Sequence, residues 1–73
     1  MTIDKEPIIN SNDRTIKVKN NIDTNEDTII TVNGLIAITE DDIENISDNI
    51  ITISDNTGVD FDIDVIGVIY TSL

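Results

Sequence analysis

Residues 28–39 read T-I-I-T-V-N-G-L-I-A-I-T, two β-branched runs either side of Asn33-Gly34. A two-residue hairpin loop of type I′ needs positive φ at both central positions, which Asn and Gly tolerate best, so this stretch is a hairpin. With such a turn Val32 faces Leu35 and Ile30 faces Ala37 on one side of the ribbon. Ile29 and Ile38 then meet on the other side, next to Thr31 and Ile36. Both faces are therefore apolar, whereas a strand with one wet face alternates apolar with polar. A ribbon of this kind is covered twice. A 73-residue chain has little material for a second cover, so a subunit interface is expected.

Outward from the hairpin, Arg14–Lys19 (R-T-I-K-V-K) alternates as a strand with Ile16 and Val18 inward. Residues 20–27 form a polar loop. The segment T-E-D-D-I-E-N-I, residues 39–46, reads as a short helix. Thr39 caps it, the acids occupy the first turn, and Ile43 and Ile46 share a face. A strand over 49–54 follows, then a turn at D-N-T-G, residues 55–58. Residues 59–65, V-D-F-D-I-D-V, alternate strictly and read as a strand with Val59, Phe61, Ile63 and Val65 on the core side. The tail V-I-G-V-I-Y-T-S-L is apolar on both faces, with Gly67 marking a bulge. Its Val68, Ile69 and Tyr70 are candidates for contact with another subunit. Residues 1–13 hold the one proline amid Asn, Ser and Asp, and read as an extended arm that stays mobile unless a neighbour holds it.

The fold expected is all-β: a small antiparallel barrel or sandwich of five to six strands, with one short helix or helical turn near 40–46. Residues 14–73 form the single domain and 1–13 its arm. The pattern acid-x-Ile-Ile-Asn/Thr recurs at 6–10, 27–31 and 48–52, a constant spacing that also allows stacked β-coils. The core must come from 17 isoleucines and 5 valines, with Phe61 and Tyr70 the only aromatics. Such side chains fit pleated sheets and lose rotamers in helices. No apolar run is long enough to span a bilayer and Met1–Lys5 does not open a signal peptide, so a soluble protein made in the cytoplasm is expected.

Charge narrows the possible functions. The net charge is −11, and Lys5, Arg14, Lys17 and Lys19 are the only basic residues, all ahead of 12 unopposed acids. This balance disfavours direct nucleic-acid or membrane binding and favours a protein partner. There is no histidine and no cysteine, hence no usual general base or thiolate nucleophile, and the serines stand in no activating motif. No enzyme and no cofactor are expected. Asp60, Asp62 and Asp64 on one strand lie ~6.8 Å apart, too far to chelate one ion by themselves, so no metal site is assigned. Three uses remain for the stripe: a solvated face, cross-strand pairing with Lys17 and Lys19, or a row of carboxylates imitating nucleic acid.

Two functions follow. The first is a non-catalytic structural protein acting through copies of itself within a larger assembly, with an arm carrying Lys5, Arg14, Lys17 and Lys19 lying on the acidic body of a neighbouring copy. The Asn-, Ile- and Asp-rich composition resembles accessory virion proteins of AT-rich phages, which implies a capsid decoration or similar component of a virion. The second is an acidic nucleic-acid mimic that inhibits a basic DNA- or RNA-handling protein. Small acidic inhibitors of nucleases and restriction systems are similar in size and charge.

Overall fold

The computed structural model describes residues 1–54 and 57–73. It is an antiparallel sandwich of eight short strands. They are β1 (Thr2–Asp4), β2 (Ile8–Asn10), β3 (Thr15–Lys17), β4 (Ile29–Val32), β5 (Leu35–Ile38), β6 (Ile43–Ser47), β7 (Ile50–Ile53) and β8 (Ile66–Tyr70). One sheet has the order β1-β8-β4-β5 and the other β2-β3-β7-β6, every pairing antiparallel. Ile30, Ile38, Ile66, Val68 and Tyr70 from the first sheet pack on Ile16, Ile51 and Ile53 from the second. Val18 and Ile22 close the core from the connection between β3 and β4. The two sheets do not close into a barrel.

Asn33 (φ 53°) and Gly34 (φ 85°) form the expected turn, and Val32 pairs with Leu35 and Thr31 with Ile36. One step further the register departs from the ideal ribbon. Ile30 pairs with Ile38, not Ala37, because β5 carries one extra residue. This bulge turns Ile38 into the core and leaves Ala37 exposed. Three additional buried carbons favour the exchange by about 2 kcal/mol.

The same device explains residues 39–46. Only Glu40–Asp42 is helical, a single 3₁₀ turn, and Thr39 makes no side-chain cap. Ile43 starts β6, where a register shift places Ile43 opposite Ile53 and Ile46 opposite Ile51. Both lean on the core. Their spacing of three, which reads as a helical face, is a bulged strand. β6 and β7 then turn at Asp48-Asn49, Asp48 taking a positive φ of 56°, and Asn49 Nδ2 donates to the Val18 carbonyl at 2.8 Å.

Residues 1–13 form two short strands joined by a bend and followed by a turn, and the body of the same chain holds them. β1 pairs with β8 from Thr2↔Tyr70 to Asp4↔Val68, and β2 pairs with β3. Asp4 is buried, and its carboxylate accepts from the backbone N–H groups of Glu6 (3.0 Å) and Lys19 (3.2 Å). The radius of gyration is 10.8 Å, against about 11 Å for a compact chain of this length, so no arm protrudes. These two strands and β6 are added, and the strand expected over 59–65 does not form, which gives eight strands where five to six were expected.

The three Ile-Ile segments do behave alike: Ile8, Ile29 and Ile50 each open a strand, and Ile9, Ile30 and Ile51 pack inward. They fall in two sheets with antiparallel neighbours only, so the spacing does not build stacked coils. Gly67 is not a bulge, since β4 and β8 pair without a break. A Cβ there would lie 2.6 Å from Thr31 Oγ1, so Gly67 makes room for the threonine that crosses it. The turn expected at 55–58 lies partly outside the described residues.

Candidate functional site

The acidic stripe is not a strand. Residues 59–65 fold into a hydrogen-bonded loop in which Asp side chains bind nearby backbone in place of a ladder. Asp60 Oδ1 accepts from the Asp62 N–H at 3.0 Å, and Asp64 Oδ2 accepts from the Asp60 N–H at 2.9 Å. The Asp64 N–H donates back to the Asp60 carbonyl at 2.8 Å. Asn33 ties this loop to the hairpin turn. Its Nδ2 donates to Asp64 Oδ1 (3.1 Å), its Oδ1 accepts from the Val65 N–H (2.9 Å), and its own N–H donates to the Val65 carbonyl (2.8 Å).

The consequences for the candidate residues are direct. Val59 and Phe61 pack on the core, whereas Ile63 and Val65 are exposed, so the alternation marks no single inner face. Lys17 sits on β3 between Ile8 and Ile50, and the Lys19 backbone binds Asp4. Neither lysine pairs with the stripe, because there is no strand of aspartates for β3 to flank. Arg14 is the base that approaches it. With φ at 57° and Nη2 donating to the Ile53 carbonyl at 2.8 Å, it lines an open cleft of about 490 Å³ with Asp60 and Asp62. Val68 and Tyr70 are core residues, Tyr70 1% exposed with its hydroxyl accepting from the Asn20 backbone and side-chain N–H groups. Of that trio only Ile69 reaches the outer side.

What the structure assembles is an apolar outer face on the β1-β8-β4-β5 sheet. Ile3, Ile69 and Ile29 are register partners in one row, and Gly67, Thr31 and Ile36 in the next. Ile3 is 59% exposed, Ile36 66%, and Val65 66% at the turn end. Lys5, two residues past Ile3, borders a hollow of about 260 Å³ with Thr31, Gly67, Ile69 and Val65. The double apolar pattern of the hairpin was the signal for this face. The contribution of Ile3 had no signal, because its partner on β8 is 66 residues away in the chain.

At the open end of the hairpin Asp27 and Glu40 come together beside Ile29 and Thr39. The Asp27 charge, and a hydrogen bond that a protonated Glu40 donates to it, raise the Glu40 carboxyl above its ordinary 4.5, with smaller contributions from slight desolvation and from Asp41. A raised folded-state value means stability that is full below the ordinary value and lost as pH rises through the raised one. Thermal melts across this window should therefore show Glu40→Gln melting higher than the parent at neutral pH, with a flatter fall from mildly acidic pH upward. Parallel pH profiles would show that the pair is not in contact. Thr28 lines the same cleft, and its buried hydroxyl has no hydrogen-bond partner among the described residues. Among the described residues no three acids converge as a metal site.

No helix among the described residues is long and apolar enough to cross a membrane. No family model, curated protein or solved structure matches the chain.

Proposed function

We propose that this chain is a non-catalytic structural protein that works by binding copies of itself, as a small accessory or decoration protein of a virus particle does. The observation that supports self-association is the outer face of β1-β8-β4-β5. Ile3 and Ile36 are exposed there, and Ile29 and Ile69, half-buried, lie beside them in adjacent rows. A contiguous apolar patch on an otherwise strongly acidic protein is the mark of an interaction surface. The compositional likeness to accessory virion proteins supplies the setting. A nucleic-acid mimic needs evenly spaced carboxylates on a rigid strand, and Asp60 and Asp64 instead spend their oxygens on their own loop.

Static light scattering at tens of micromolar is the test, joined to fractionation of the native source. The expected results are a mass of at least two chains and co-sedimentation with particles. A strictly monomeric chain in the particle-free fraction would overturn the proposal.

A further inference from the structure

We propose that a second copy of this chain packs on the outer face of β1-β8-β4-β5 about a two-fold axis, its strands crossing near 90°, each Lys5 meeting the Asp27–Glu40 pair of the other copy. This rests on the self-assembly proposed above and names its surface and geometry.

The dimensions of the face favour it. From β1 to β5 is three strand spacings, about 14 Å, and from the Lys5 level to the Asp27 level is four residues along the strands, also about 14 Å. The face is thus nearly square, and its corners differ. Lys5 stands at the β1 edge beside Gly67, toward the turn end. The Asp27–Glu40 pair stands at the diagonally opposite corner, beside Ile29 at the open end of the hairpin. Ile36 and Met1 occupy the other two corners.

Only one two-fold arrangement uses this charge pattern. An axis along the strands sets Lys5 over Leu35 and Ile36 and leaves the acids without a base. An axis across the strands sets Lys5 over Met1, with the acids over the hairpin tip. An axis along the Ile36–Met1 diagonal exchanges the charged corners, so two Lys5 ammonium groups meet two carboxylate pairs. Rotation about that diagonal crosses the strands at a right angle, one of the two normal modes of sheet packing. It also brings Ile36 against its own counterpart on the axis at one corner, with Ile69 and Ile29, nearest the middle of the face, between the two copies. The exposed apolar part of the face is on the order of 500 Å² per copy. A pair therefore buries about 1,000 Å², the lower bound for a specific interface, which fits association at micromolar concentration. The contact is isologous, as closed dimers require.

Sedimentation velocity across a micromolar concentration series, with circular dichroism on each variant, tests this. Lys5→Glu should weaken association at least about 10-fold, and Ile36→Asp, which sets a carboxylate against its own counterpart on the axis, about 30-fold. Adding Asp27→Lys and Glu40→Lys to Lys5→Glu should restore association to within about threefold of the parent. Lys5→Gln, which removes charge without reversing it, guards against a variant that loses its fold and should weaken association in the same direction. A triple variant no stronger than Lys5→Glu, or a folded Lys5→Gln that pairs as the parent does, overturns the crossed arrangement. Undiminished pairing of Ile36→Asp overturns the choice of face while leaving self-assembly standing. A parent that stays monomeric at the highest concentration overturns both.

Discussion

Ile30→Ala should lower the free energy of unfolding by about 3–4 kcal/mol, whereas Ile36→Ala, across the same hairpin, should change it by less than about 0.5 kcal/mol. Ile30 is fully buried between the sheets, and Ile36 is 66% exposed on the outer face. Truncating Ile30 removes transfer free energy and leaves a cavity beside Val68, its partner on β8, in the core shared with Ile16 and Ile51. A domain of this length holds only about 4–11 kcal/mol in total, so the variant should be close to its unfolding midpoint at moderate temperature. Urea denaturation at low protein concentration, followed by the buried Tyr70 and by circular dichroism, measures both. Equal costs would mean that both faces of the hairpin are covered within one chain. A cost for Ile36→Ala that appears only at high concentration would report the second copy.

Deletion of residues 1–13 should abolish cooperative unfolding altogether, an effect of at least about 5 kcal/mol. The deletion strips β1 from β8 and β2 from β3, leaving two new sheet edges unpaired. It removes the Asp4 carboxylate that holds the chain after β3 and takes Ile9 off the core. A chain this short has no surplus burial with which to absorb those losses. Thermal melts by circular dichroism are the measurement. A truncated chain that melts sharply within a few degrees of the parent would make the segment a dispensable arm.

Much of the fold was legible where the signal is local. Asn33-Gly34 specified a turn, and Ile16 and Val18 fell inward as their alternation requires. V-D-F-D-I-D-V misled because two mechanisms share one pattern. Alternation places Asp on the wet side of a strand, yet an Asp carboxylate within reach of the next backbone N–H also competes with the ladder. Asn33, 31 residues upstream, tips the balance by binding Asp64 and Val65. The spacing of Ile43 and Ile46 misled for a similar reason, since a bulged strand and a helical turn both set residues three apart on one face.

By itself the sequence determined that this protein is all-β, that its core is built from isoleucine and valine, and that more apolar strand surface exists than one small core can use. These are properties of composition and short-range pattern, carried by side-chain shape and by turn chemistry. Tertiary structure alone decided which isoleucines are core and which are outside. Ile38 turns inward through a bulge in β5, and Ile3 joins Ile69 and Ile29 through a pairing that spans nearly the whole chain. It decided also that Lys5 and the Asp27–Glu40 pair stand at opposite corners of one face. Register and strand order depend on the packing of all elements at once, and a one-residue shift reverses every side chain that follows.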